Sequence, residues 1–299
     1  MSKMTDVSTL DPELHEWLPG KSLEQLIERA KLEARYGKQW RPLYLCGLIS
    51  QSAPSDEPLK YQADLLLARL SAENQQLDYA LGLYKDTLES IRKNFGTDHP
   101  IYACGLLYKA DSLLKQRKWT QTPKKLQKEA LSAVSRAIAS IEKNNPSDYQ
   151  LVRANYILYR LLRQYGNEIE SRAALAQAIS KCELICGADD PELAFLLTIE
   201  LSDQPGIDAD ELNAKESRIK KAIEIFSNCF DASNYDLRKA LALYEKLLRR
   251  QGKIEEADKI GAAARADRGE SSESNETLEQ QIIKWRKLNN RPDFDLKGY

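Results

Sequence analysis

Long apolar runs are missing. No stretch of the 299-residue chain approaches the roughly 18 consecutive apolar residues of a membrane-spanning helix, and the mean hydropathy is −0.55. The opening MSKMTDVSTLDPELHEW has no apolar segment of the kind a secretory signal needs, so a cytoplasmic location is expected. Glycine and proline are scarce, at 13 and 11 residues, which disfavours a fold of short strands and tight turns and favours helix. Net charge is lacking too: 44 Lys+Arg against 45 Asp+Glu leave −1, which excludes a uniformly basic nucleic-acid coat. Histidine occurs twice, as His15 and His99. No Ser/His/Asp set can be assembled around two such distant residues, and the glycines form no phosphate-cradling loop. An enzyme is therefore not expected, and neither is a cofactor. The five cysteines, Cys46, Cys104, Cys182, Cys186 and Cys229, are odd in number and scattered, and read as free thiols of a reducing compartment. Cys182 and Cys186 stand four apart on a helical pattern, but no further Cys or His lies close enough in sequence to complete a closed zinc site. No metal is expected on that ground.

What the chain does have is a period. Apolar residues at helical spacing recur from Pro58, Pro100, Asp148, Pro191 and Asn234, at offsets of 42, 48, 43 and 43 residues. The one long spacer contains the PKKLQK stretch from Pro123. Starts and stops are legible. Asp98 and Asp190 are candidate caps, Pro100 and Pro191 fall in the first turn, and Gly166 and Gly252 sit where a left-handed residue would end a helix. A second helical pattern follows each first one: Tyr79–Phe95, Leu126–Ile141, Ile169–Cys186, Glu216–Phe230 and Ile254–Ala264. Each hairpin carries apolar residues on more than one face, such as Leu158, Leu161 and Leu162 beside Tyr156 and Tyr159, and so needs neighbours to bury them.

The segment Gln251-Gly-Lys-Ile-Glu-Glu-Ala257 after LALYEKLLR, with Gly96-Thr-Asp-His-Pro100 closing a second helix, resembles the tetratricopeptide repeat in its longer, 42-residue form, as in kinesin light chains. The resemblance covers about 58–264. It implies an all-α, right-handed solenoid of helix-turn-helix repeats whose first helices line a concave, partner-binding groove, without catalysis. The chain departs from the pattern at Trp119, at Asn155 where an apolar residue is expected, and at Asp203-Gln-Pro-Gly206, which breaks the fourth first-helix. The asparagine ladder of kinesin light chains and the Lys and Asn arrangement of chaperone-tail clamps are both absent, so neither role carries over.

Around the repeat domain at 58–264, residues 1–57 read as an N-terminal cap or degenerate repeat, with a helix from Ser22 and Gln25 as its capping-box partner. Residues 265–276 read as a polar linker, and 277–299 as a final helix and tail with Leu278, Ile282 and Trp285 on one stripe.

Charge is uneven along the chain. Residues 109–143 hold nine bases and three acids, and 183–216 ten acids and one base. This segregation reads either as solvated faces or as steering of a partner, including head-to-tail self-association. The repeat register points a set of residues into the groove: Tyr108 and Lys115; Arg153, Tyr156, Arg160 and Arg163; and Lys239, Lys246 and Arg249. The spacing of Arg153, Arg160 and Arg163 recurs in Lys239, Lys246 and Arg249, each 86 residues on. The expected function is a scaffold that binds a protein or peptide segment, acidic in character. The alternatives are a helical-repeat nucleic-acid binder, disfavoured by the acidic block, and a regulatory module whose tail helix occupies its own groove.

Overall fold

A computed structural model describes residues 14, 17–35, 40–114, 124–203, 209–230 and 234–265. Among them there are twelve helices and no strand. In chain order these are α1 (Leu23–Arg35), α2 (Trp40–Ser52), α3 (Pro58–Glu73), α4 (Leu77–Phe95), α5 (Pro100–Leu114), α6 (Lys124–Asn144), α7 (Gln150–Gln164), α8 (Glu168–Cys186), α9 (Pro191–Asp203), α10 (Ala209–Cys229), α11 (Tyr235–Arg250) and α12 (Ile254–Arg265). First and second helices alternate in the expected order, and α9 runs to Asp203, with Gln204, Pro205 and Gly206 of the expected break outside the described residues. The linker and tail expected beyond α12 lie outside the described residues, as do His15, Lys115 and Trp119. The chain divides into two compact units between Tyr108 and Lys109, inside α5.

In the first unit α1 and α2 form a hairpin that packs on α3. Ser22 and Gln25 make the expected reciprocal cap: the Gln25 amide donates to Ser22 Oγ at 3.4 Å and the Ser22 amide to Gln25 Oε1 at 3.1 Å. Leu26, Ile27, Leu45, Ile49, Leu66 and Leu70 close the core between them. Where α5 meets α3 and α4 the approach is close. A Cβ on Gly105 would stand 2.8 Å from Leu88 Cδ2 and 2.9 Å from Leu65 Cδ2, so only glycine fits there without movement. Below the next turn, Asn94 Nδ2 donates to Tyr61 Oη at 2.6 Å, and the ring of Phe95 lies edge-on to Tyr61 and 4.9 Å from His99.

The second unit repeats one construction. Each first helix begins at a side-chain cap: Asp148 Oδ1 accepts from the Gln150 amide at 2.8 Å, Asp190 Oδ1 from the Glu192 amide at 2.9 Å, and Asn234 Oδ1 from the Asp236 and Leu237 amides at 2.9 Å. The helix α7 is buried on several sides, through Leu151, Val152, Ala154, Ile157, Tyr159, Leu161 and Leu162. Its partner α8 shows a single buried stripe, Ser171, Ala174, Leu175, Ala178, Cys182 and Cys186. Small residues in that stripe let the two helices approach closely. The core continues through Leu193, Leu197, Ile219, Phe226 and Tyr244 to Leu248. Asn155, out of pattern in the sequence, is buried and satisfied locally, its Nδ2 donating to the Leu151 carbonyl at 2.8 Å.

Candidate functional site

Arg153, Tyr156 and Arg160 stand at i, i+3 and i+7 of α7, which places them on one face. The structure adds the residue that organises them. Asp111, near the end of α5, is buried. Its Oδ2 lies 3.7 Å from Arg153 Nη2 and its Oδ1 3.7 Å from Arg160 Nη1, so each oxygen faces one guanidinium. The guanidinium of Arg160 also sits over the Tyr156 ring, 5.9 Å from its centre. Tyr156 in turn stacks on Tyr159 at 6.0 Å and meets Phe195 of α9 edge-on at 5.8 Å. The arginine side chains keep 17% and 31% of their surface exposed. Two cations, one anion and an aromatic platform thus make a cationic face, open to solvent, on a wall of packed rings.

The other expected residues are placed differently. Tyr108 lies in the first unit, where it is buried and the Arg69 guanidinium stands 5.5 Å from its ring centre. Arg163 and Lys246 are exposed, and Lys239 is half-buried. Arg249 is engaged by Glu245 at 3.0 Å and by Asp258 of α12 at 2.7 Å, so it ties the last hairpin together. The 86-residue correspondence is itself structural, because the helix-ending turns that follow α7 and α11 are also 86 residues apart, at Gly166 and Gly252. Between the two basic helices α9 is apolar and acidic: Leu196 is buried and Glu200 pairs with Arg218 of α10 at 2.5 Å.

Three of the ten acids in the acidic block are paired in space. Glu183 pairs with Lys221 at 2.7 Å, Glu200 with Arg218, and Glu216 with Lys220 and Lys253 at 2.6 and 2.8 Å. All four bases lie beyond the block in sequence, so the segregation along the chain is partly undone by stacking. Lys220 first, and Lys253 second, hold the Glu216 carboxyl down to about 2 from its ordinary 4.5. In the basic block Lys109 pairs with Glu129 at 2.5 Å. His99 serves its turn, Nδ1 accepting from the Ile101 amide at 3.3 Å, and burial pushes its pKa down.

The five cysteines are free thiols. Burial pushes Cys46 up to about 12, where it is an inert core residue. The sequence reading of Cys182 and Cys186 needs one correction. A third donor is at hand, because Asp190 folds back over the end of α8 and its carboxylate and both sulfurs lie within 4.8 Å of one another, all three residues buried. In the sequence Asp190 reads as a helix cap, and only its place in the fold sets it beside the two thiols.

No family model matches the chain, and no curated protein does. Solved structures do. A kinesin light chain-type protein of Podosopora anserina with nearly identical TPR-like repeats superposes with a TM-score of 0.56 at 13% identity, over 72% of this chain and 96% of that one. BtubC (BKLC) from P. vanneervenii superposes with a TM-score of 0.57 at 13% identity, over 82% and 91%. The chain has the tetratricopeptide-like repeat fold. At this identity the likeness extends to the fold, and the expectation drawn from the repeat period and the turn motifs is met at that level. No helix among the described residues is long and apolar enough to cross a membrane.

Proposed function

We propose that this TPR-like chain is a non-enzymatic, cytoplasmic scaffold that binds an acidic peptide segment on the α7 face of its second unit. The observation that carries the reading is the pairing of Arg153 and Arg160 on the two oxygens of one buried aspartate, with Arg160 laid over Tyr156. Guanidinium forks fixed in this way are pre-organised for carboxylates, and fixing them in advance lowers the ordering cost of binding. Lys239 and Lys246 occupy the corresponding register two repeats on and extend the same preference to α11.

The test uses short fluorescent Glu/Asp-rich peptides with free or amidated C-termini, and Lys-rich peptides as the control, read by anisotropy at physiological salt. Acidic peptides should bind, and the double variant Arg160→Gln with Lys246→Gln should weaken them about tenfold or more while the helical circular dichroism persists. Gln is the right replacement at 160, because Glu would set a second carboxylate against Asp111. Equal binding of acidic and basic peptides, or an unaffected double variant, would remove this reading.

A further inference from the structure

The turn between α8 and α9 brings two thiols and a carboxylate together in the interior of the second unit. Cys182 and Cys186 are one turn apart on the buried stripe of α8. Asp190, four residues further, caps α9 through Oδ1. Their exposures are 0%, 4% and 1%, and the three donor atoms lie within 4.8 Å of one another. A tetrahedral zinc ion with Zn–S near 2.3 Å holds its sulfurs about 3.8 Å apart. The donors thus stand at most roughly 1 Å further apart than a shared zinc ion would hold them. Capping does not disqualify Asp190, since a carboxylate can accept a hydrogen bond and ligate a cation at the same time. A further thiol stands beside the same turn: Cys229, at the end of α10, is half-buried and its Sγ lies 3.9 Å from the Asp189 carbonyl oxygen.

We infer that Cys182, Cys186 and Asp190 form a structural binding site for a thiophilic divalent cation, zinc by preference, with Cys229 or a water completing the tetrahedron. Soft thiolates with one carboxylate select zinc over magnesium or calcium, which require shells made of oxygen. Burial suits a structural site rather than a catalytic one, because no ligand position is open to substrate. A divalent ion at the centre turns the thiols that coordinate it into thiolates. Each thiol that coordinates gives up its proton to solvent on binding, and no electrons move. The ion would clamp the end of α8 to the start of α9 across the joint between successive hairpins, adding binding free energy to the stability of the fold. This inference stands independently of the peptide reading.

The experiment titrates the reduced, chelator-stripped full-length chain with Co2+ and then displaces it with Zn2+. One equivalent of cobalt should bind per chain with a sulfur-to-cobalt charge-transfer band and the visible bands of tetrahedral cobalt. Zinc should abolish both, and should raise the melting temperature above that of the metal-free chain. Cys186→Ser should eliminate the charge-transfer band or weaken cobalt binding about a hundredfold. Asp190→Asn keeps the oxygen that caps α9 but replaces a good ligand with a poor one, and should weaken binding about tenfold or more. Because the cap survives, that variant decides the matter if Cys186→Ser fails to fold. Absence of a charge-transfer band in the reduced chain, cobalt binding unchanged in Asp190→Asn, or an intramolecular Cys182–Cys186 disulfide in chain isolated under reductant would each overturn the assignment.

Discussion

Gly166 and Gly252 end their helices with the same pair of backbone hydrogen bonds. The Asn167 amide donates to the Leu162 carbonyl at 3.0 Å and the Gly166 amide to Arg163. Correspondingly, the Lys253 amide donates to Leu248 at 3.0 Å and the Gly252 amide to Arg249. Both glycines are left-handed, at φ of 75° and 78°. In the first unit Gln75 does the same work at φ 64°, with the Gln76 amide donating to Ser71 and its own to Ala72.

A matched pair of substitutions follows from this equivalence. A Cβ on Gly166 meets nothing within 4 Å, so Gly166→Ala carries only the backbone cost of a left-handed residue, about 1 kcal/mol. Gln75→Gly should gain a similar amount, up to about 1 kcal/mol. Denaturant unfolding of both variants checks the opposite signs.

Acid sensitivity is expected at Glu216. Its carboxyl is depressed from 4.5 to about 2, so the stability it confers is fully present above about pH 4.5 and is lost as pH falls through about 2. Because Lys220 and Lys253 are 54% and 44% exposed, solvent screening holds the gain to about 1–2 kcal/mol. Glu216→Gln should be less stable than the wild type by that amount at neutral pH. The gap should close between pH 4.5 and 2, and parallel thermal melts across that range measure it.

Asp111→Asn separates the stabilising role of the aspartate from its competition with a ligand. Losing the anion between two guanidiniums should cost about 1–3 kcal/mol. The same change should tighten acidic peptides several-fold, since one negative charge leaves the face. A variant that is less stable yet binds no better would place Asp111 outside the peptide site.

Phe226 is fully buried and stacks on Phe230 at 6.1 Å. Phe226→Ala should therefore cost about 3–5 kcal/mol, with the cavity contributing beyond the lost transfer energy. Calorimetry of the variant gives the value directly.

The hairpins were readable from the chain because each is specified locally. Apolar spacing sets the helix, an Asp or Asn within the preceding turn caps it, and Gly166 or Gly252 ends it. The helix α10 was read short, from Glu216, although it begins at Ala209. Its first turns are polar and carry no apolar period. The basic face was half legible. Arg153, Tyr156 and Arg160 followed from register, but Asp111 is 42 residues before Arg153 and looked like one acid in a basic block. Only the folded chain brings Asp111 to the arginines. Arg249 likewise meets a partner its own helix pattern does not show, since Asp258 belongs to the next helix. The Cys182, Cys186 and Asp190 cluster was missed because a capping aspartate was not weighed as a ligand.

Glu216 rises from α10, and one of its partners, Lys253, lies in the turn that joins α11 to α12. The Tyr244 hydroxyl of α11 stands within hydrogen-bond distance of Glu216, at 3.4 Å, and of Glu256 of α12, at 3.2 Å, and its one proton is shared between the two carboxylates. A stack of hairpins in contact only with its neighbours can fray from its end, one hairpin at a time. Here a polar bracket fastens the last hairpin to the one before it at two heights. The final two hairpins should therefore exchange their amide hydrogens as a single cooperative unit, and the end of the described array should open as a pair of hairpins rather than one.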